Sequence, residues 1–243
     1  MGAQKKSNLL VMPSPTMATA LFELGKKVQE LQEEQKKVSE MAARAILHAL
    51  DCKDHYTFGH SMRVTFYSLI LGKELKLDKQ TLYELELSAL FHDIGKIGTP
   101  DRILLKEDRL NEEEFRIMKQ HPVKSAEILD GFKGFEKISL NARHHHERWD
   151  GRGYPNNLKE EEIPLCSRII LIADTFDAMT STRPYREGLA HDIAFKELKD
   201  CAGTQFDPKM VPKFIKGMKK EDSQQKDTFY IEVMDQEFTK KAA

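Results

Sequence analysis

Residues 169–173 read Ile-Ile-Leu-Ile-Ala, and Asp174 follows them directly in the run RIILIADTFDAM. An uninterrupted apolar stretch of this kind has to lie in a core. A carboxylate carried in with it gives up hydration worth several kcal/mol unless a cation neutralises it or hydrogen bonds saturate it. Any fold this chain adopts must bring that compensation to position 174. A metal ligand and a tightly hydrogen-bonded structural anchor both meet the demand, and the first is the favoured reading. Asp177, one turn further on, can share that role or support it.

The remainder of the chain is patterned for helices. Between Met17 and Glu40 the apolar positions Leu21, Leu24, Val28, Leu31 and Val38 advance in steps of three and four, with Gln35 in the intervening slot. Lys26, Lys27, Glu30, Glu33, Glu34, Lys36 and Lys37 solvate the other faces. The segment is either an amphipathic helix lying on its own domain or a parallel coiled coil joining two chains. Helical patterns then recur at roughly 41–52, 59–76, 79–94, 111–131, 135–148, 165–180, 189–201 and 208–218. Asp78 and Asn111 suit helix N-caps, and the acidic run after Asn111 suits a first turn. Breaks fall at 95–101, 150–157 and 203–208, where Gly, Pro and Asp gather. One strand candidate, TFYIEV at 228–233, follows a polar linker. The expected fold class is all-α, divided into a flexible lead-in (1–16), an N-terminal helix (17–45), a main helical domain (46–218) and a polar tail (219–243).

Thirty-eight Lys and Arg against 39 Asp and Glu leave a formal charge of −1, so no global basic field draws in a nucleic-acid polymer or an anionic membrane. An anionic ligand has to be caught by a local cluster. Cys52, Cys166 and Cys201 lack CxxC spacing, which argues against a disulfide framework and a thiolate zinc site. No apolar run approaches the roughly 18 residues of a membrane span. The chain reads as soluble and cytoplasmic.

Nine histidines are present, and their placement carries the chemistry. His92 and Asp93 close the apolar segment SALFHD immediately before Gly95 and Lys96. His144, His145 and His146 are consecutive near the end of a helix, where successive side chains diverge by about 100°, so one ion cannot easily use all three but a pair of ions can be flanked by two. His121 precedes Pro122, which places it at a helix joint. His60 stands near the start of another helix. Together, His60, His92, Asp93, His121, His145, His146 and Asp174 supply imidazole and carboxylate ligands without thiolate, a set suited to iron, manganese, cobalt, nickel or zinc. Seven ligands exceed one tetrahedral site and match two octahedral sites sharing a carboxylate, an arrangement suited to phosphoester hydrolysis. Each residue also has a plain structural reading when taken alone: capping for Asp93, a kink residue for His121, packing for His60.

The runs HDIGKIGTPD (92–101), HHERWDGRGYP (145–155), ADTFDAMTSTRPYR (173–186) and AGTQFDP (202–208) closely resemble the HD-GYP family, a branch of the HD superfamily of metal-dependent phosphohydrolases. The likeness runs from about Ile46 to Met218. It implies a multi-helix HD-type bundle and metal ligation by His60, His92, Asp93, His121, His145, His146 and Asp174. By the same resemblance Asp93 bridges two divalent ions, iron or manganese first and zinc, cobalt, nickel or magnesium next. His60, His92 and Asp174 would surround one ion, and His121, His145 and His146 the other, with His144 an extra facing away.

The family hydrolyses cyclic di-GMP to pGpG and often to GMP, and the resemblance implies that reaction through a bridging hydroxide. Lys96, Arg183 and Arg186 occupy the matching phosphate-binding positions, as point charge and bidentate forks. Lys96 is also a candidate proton donor to the leaving oxygen. Gly151 and Gly153 permit positive φ in the GYP loop, Tyr154 either lines the substrate groove or packs in the core, Trp149 packs, and Glu147 and Asp150 anchor the loop or support the metal ligands. Family members with three metals carry a Glu four residues before the first His; Tyr56 stands there, so two ions are expected. The rival readings are a catalytically weak cyclic di-GMP receptor or scaffold, with a GGDEF-domain protein as partner, and a phosphohydrolase for another cyclic dinucleotide. A homodimer through the N-terminal helix is the other expected partner.

Overall fold

The computed structural model describes residues 15–53, 55–182 and 187–222; side chains at 15, 18, 51–58 and 222 lie outside that description, as do the strand candidate at 228–233 and nearly all of the lead-in. The chain is all-α, with ten α-helices and no strand among the described residues. These are α1 (Pro15–Lys53), α2 (His55–Glu74), α3 (Lys79–Phe91), α4 (Asp101–Leu104), α5 (Glu112–Met118), α6 (His121–Leu129), α7 (Glu136–Arg143), α8 (Leu165–Thr180), α9 (His191–Asp200) and α10 (Val211–Asp222). Single 3-10 turns occupy Ile94–Gly98 and Glu160–Glu162. No described helix is long and apolar enough to cross a membrane.

Two compact units divide the chain, Met1–Met41 and Ala42–Ala243. In the first, Leu21, Leu24, Val28, Leu31 and Val38 are between 44% and 61% exposed, so the spaced apolar positions form an open seam. The patterns at 17–40 and 41–52 belong to one 39-residue helix, because no Gly or Pro separates them.

The second unit is built around α8. Its apolar residues cover most of its circumference, and a helix of that kind is stable only when enclosed. Ile169, Ile170, Ile172, Ala173 and Phe176 are fully buried against residues of α2, α9 and α10. Phe176 stacks on Phe195 at 5.5 Å and meets Tyr67 and Phe214 edge-on at 5.1 and 5.2 Å. A second apolar cluster joins Ala43, Leu47 and Leu50 of α1 to Leu87, Leu90 and Phe91 of α3 and to Ile138 and Ala142 of α7.

Local capping follows the sequence. Asp78 accepts the Thr81 N–H at 2.9 Å, and Asn111 and Glu114 form a reciprocal capping box. Several boundaries differ from the expected spans, among them α2, which begins at His55. The pattern at 111–131 breaks into α5 and α6 ahead of Pro122, which is disfavoured in a helix interior. Helix α7 stops at Arg143, so the three histidines lie in the turn after it rather than on the helix. Helix α10 continues to Asp222, four residues beyond the expected end at 218.

Candidate metal centre

Three helices and two turns deliver the predicted residues to one place. His60 projects from the second turn of α2, and Asp174 from the third turn of α8. His92 and Asp93 form the turn that ends α3, His121 opens α6, and His145 and His146 follow α7. His60, His92, Asp93, His121 and His145 are each no more than 4% exposed, while His146 and Asp174 are half-buried.

Asp93 stands between two groups of imidazoles. Its Oδ1 lies 3.0 Å from His121 Nε2 and 3.8 Å from His145 Nε2. Its Oδ2 lies 3.3 Å from His92 Nε2, 3.6 Å from His60 Nε2 and 2.5 Å from the Lys96 ammonium. His60 Nε2 is also 3.2 Å from Asp174 Oδ1. The ligating atoms of Asp93, His121, His145 and His146 fall within 4.8 Å of one another, and those of His60, His92 and Asp93 form a second such group.

The tautomers follow from what each Nδ1 touches. His92, His121 and His145 place Nδ1 on the carbonyls of Ala89, Met118 and Ala142 at 2.6, 2.8 and 2.6 Å. A carbonyl only accepts, so these Nδ1 atoms donate and the Nε2 lone pairs face inward. His121 and His145 therefore set two lone pairs 3.3 Å apart. Buried His92 Nε2 and Asp93 Oδ1 have no hydrogen-bond partner, and orphaned buried polar atoms cost about 1–3 kcal/mol each. Converging nitrogen and oxygen lone pairs fit divalent cations, which would satisfy these atoms together.

The titration behaviour splits the site in the same sense. Burial pushes His145 well below the ordinary imidazole range, and His146, His92 and His121 reinforce the effect. Burial and the nearby His121 push His146 down to about 3. For His60, burial acts downward, but hydrogen bonds to Asp174, Asp177 and Asp93 prevail and hold its pKa well above the usual value. Burial opposes ionisation of Asp93 and Asp174, and Lys96 beside Asp93 and His60 beside Asp174 overcome it.

The backbone around the His-Asp turn is held by α6. Gly95 N–H donates to Ser125 Oγ at 2.9 Å, and that hydroxyl donates to the His92 carbonyl at 2.7 Å. A Cβ at Gly95 would lie 2.3 Å from both His121 O and Ser125 N, so only glycine allows this approach.

In the GYP loop, Glu147 accepts the N–H groups of Asn156 and Leu158 at 2.6 and 3.1 Å, and Asp150 pairs with Arg148 while accepting the Arg152 N–H. Gly151 has φ +73°, whereas Gly153 is required for close approach instead of positive φ: a Cβ there would meet Arg148 N at 2.3 Å. The Tyr154 ring packs 4.9 Å from His146, with Lys119 Nζ 5.3 Å from its centroid. Trp149 N–H and Asp150 N–H donate to the carbonyls of Gln205 and Thr204, so the 202–208 segment braces this loop. His144 is buried apart from the ligand groups, its Nδ1 3.6 Å from Glu147 Oε1. Arg183 and Arg186 lie outside the described residues, and so does the Tyr56 side chain. Sequence reasoning overlooked Ser125 and Arg63. Arg63 was signalled only by its spacing of three from His60, which puts both on one face of α2.

A family model for the HD domain matches residues 28–210. A cyclic di-GMP phosphodiesterase of Thermotoga maritima is 42% identical over 167 residues, covering 68% of this chain and 45% of that protein. The cyclic di-GMP phosphodiesterase response regulator RpfG of Xanthomonas campestris is 37% identical over 192 residues, covering 78% and 50%. The 3′3′-cGAMP-specific phosphodiesterase 1 of Vibrio cholerae is 42% identical over 155 residues, covering 63% and 36%. The chain thus spans half or less of the length of these curated relatives. Among solved structures, a cyclic GMP-AMP-specific phosphodiesterase of V. cholerae matches with a TM-score of 0.57 at 20% identity, over 72% of this chain and 48% of that one. At that identity the likeness speaks to the fold.

Proposed function

The chain belongs to the HD domain family, in its HD-GYP branch, and on that premise we propose that it is a metal-dependent phosphodiesterase that opens cyclic di-GMP to linear pGpG. The observation that carries this reading is the position of Asp93, with one carboxylate oxygen toward His121 and His145 and the other toward His60 and His92. His60, His92 and Asp174 would hold one divalent ion and His121, His145 and His146 the other, with Asp93 shared. Iron or manganese suits this oxygen and nitrogen set. Such a pair of ions supplies charge to the phosphoryl oxygens and makes hydroxide available near neutral pH.

The residues of the chain do the rest. The Nδ1 contacts to Ala89, Met118 and Ala142 fix the imidazole tautomers, and the buried surroundings keep His145 and His146 neutral. Lys96 places an ammonium at the mouth of the site beside Asp93, where it can hold a phosphate oxygen or protonate the departing 3′ oxygen. Arg183 and Arg186 are assigned to the phosphates by motif alone. Tyr154 is packed beside His146.

Incubating manganese- or iron-loaded protein with cyclic di-GMP and separating the products by chromatography tests the proposal. Appearance of pGpG supports it, and the later growth of GMP tells whether a second cut follows. Saturable binding with intact substrate would replace the enzyme by a receptor. The 42% identity to a 3′3′-cGAMP-specific relative favours a second reading, a different cyclic dinucleotide as substrate, so 3′3′-cGAMP and cyclic di-AMP belong in the same assay.

For a partner we propose a second copy, paired in parallel through the exposed seam of α1. Leu21, Val28 and Gln35 fill one seam position and Leu24, Leu31 and Val38 the other, so Gln35 meets its own copy and can exchange amide hydrogen bonds. Lys27 and Glu34 flank the seam opposite Gln32 and Ser39 of the second chain, and no like charges meet. Light scattering at tens of micromolar should give a dimer that Leu24→Glu with Leu31→Glu converts to a monomer; a monomeric wild type would refute the pairing.

A further inference from the structure

We propose that Asp177 is the positioning residue for His60. The inference rests on the metal-centre reading of the preceding subsection. His92, His121 and His145 each lean on a backbone carbonyl, but His60 Nδ1 contacts a carboxylate, Asp177 Oδ2, at 2.7 Å. Asp177 is fully buried, and its remaining capacity is filled: Arg63 Nε donates to Oδ1 at 2.5 Å, Arg63 Nη2 to Oδ2 at 3.1 Å, and Ser181 Oγ to Oδ1 at 3.0 Å. The guanidinium, 25% exposed, balances the charge that burial would otherwise penalise.

Two consequences follow for His60. The carboxylate accepts the Nδ1 proton, so Nε2, which points toward Asp93 and Asp174, is the nitrogen that would ligate an ion in exchange for its own proton. An anionic acceptor also raises the donor strength of Nε2 more than a neutral carbonyl does, which is the usual work of a carboxylate behind a metal-binding imidazole. The two acids lie three residues apart on α8, so a single helix face supplies both Asp174, beside Nε2, and Asp177, behind Nδ1. His60 is thereby clamped from both ends by one rigid element.

The test compares the wild-type chain with Asp177→Ala and Asp177→Asn for Mn²⁺ stoichiometry and affinity, using chelator competition, with circular dichroism and thermal melting as fold controls. We expect two ions in the wild type. Asp177→Ala should weaken one ion by about 10–100-fold and leave the other within about threefold. Asp177→Asn, which keeps the shape and an acceptor oxygen without the charge, should fall between. A folded Ala variant holding both ions as tightly as wild type would overturn the inference while leaving the metal centre intact. If the Ala variant does not fold, the Asn variant decides, and unchanged affinity for both ions overturns the role given to the carboxylate. A wild type that takes up no Mn²⁺ overturns the metal reading itself and Asp177's role with it.

Discussion

His121 and His145 face each other through their Nε2 atoms at 3.3 Å, each with its other ring nitrogen tied to the carbonyl three residues earlier. Two imidazoles fixed in this way repel at close range unless a cation lies between them or one nitrogen takes up a proton. Both rings reach Asp93 Oδ1, whereas His60 and His92 reach its Oδ2. The two halves of the site are therefore separable. His145→Ala should lower the bound-metal count by one equivalent, and His92→Ala should do the same from the other half. Elemental analysis of each purified variant checks this, and loss of both ions from either substitution would contradict the division.

The imidazoles also set how stability depends on pH when no metal is bound. His145 and His146 have folded pKa values below the ordinary 6.5, so the unfolded chain binds more protons as pH falls below 6.5 and stability declines. His60 has a raised value, so its contribution is complete below 6.5 and is lost as pH climbs through the raised pKa. Asp177, whose pKa is lowered against burial by His60 and Arg63, adds a loss only below about pH 4. The melting temperature of chelator-treated protein should peak near pH 6.5 and fall on both sides. A continuous rise to pH 8.5 would contradict these assignments.

Gly95 offers a steric test of the His-Asp turn. Gly95→Ala places a methyl 2.3 Å from backbone atoms of both His121 and Ser125, which cannot move as a flexible side-chain end would. Overpacking of this sort costs about 1–3 kcal/mol, and here it also separates His92 and Asp93 from His121. Denaturant midpoint and metal content should fall together. Gly25→Ala, which meets nothing within 4 Å in α1, should change neither property for the worse.

Much of the architecture was legible because its causes are local. The α8 span was read from its apolar run, and the caps at Asp78 and Asn111 from short polar side chains before periodic segments. Convergence of His60, His92, Asp93, His121, His145, His146 and Asp174 into one pocket was implied by the motifs. Other features depend on contacts distant in sequence. The partners of Asp177 lie 114 and 117 residues away, and Gly95 owes its necessity to α6. The stop after Arg143 carries no Gly or Pro, so nothing in the local sequence distinguished a helical His144–His146 from one in a turn.

Phe176 links the core to the site, lying between Asp174 and Asp177 on α8 while packing on Phe195, Tyr67 and Phe214. Phe176→Ala should destabilise the protein by about 3–5 kcal/mol through lost transfer energy and the cavity left behind. Chemical denaturation measures this directly. Saturating Mn²⁺ should raise the stability of wild type and variant alike, because an ion bound only by the folded state shifts the equilibrium toward it.

The central claim is that Asp93 is shared by two ions that carry out phosphodiester hydrolysis. Elemental analysis of anaerobically purified protein, run beside cyclic di-GMP turnover for wild type and Asp93→Ala, tests it most directly. The account predicts two metal equivalents and product formation in the wild type, with both falling at least tenfold in the variant. A folded Asp93→Ala protein that keeps its two equivalents or its turnover would contradict it.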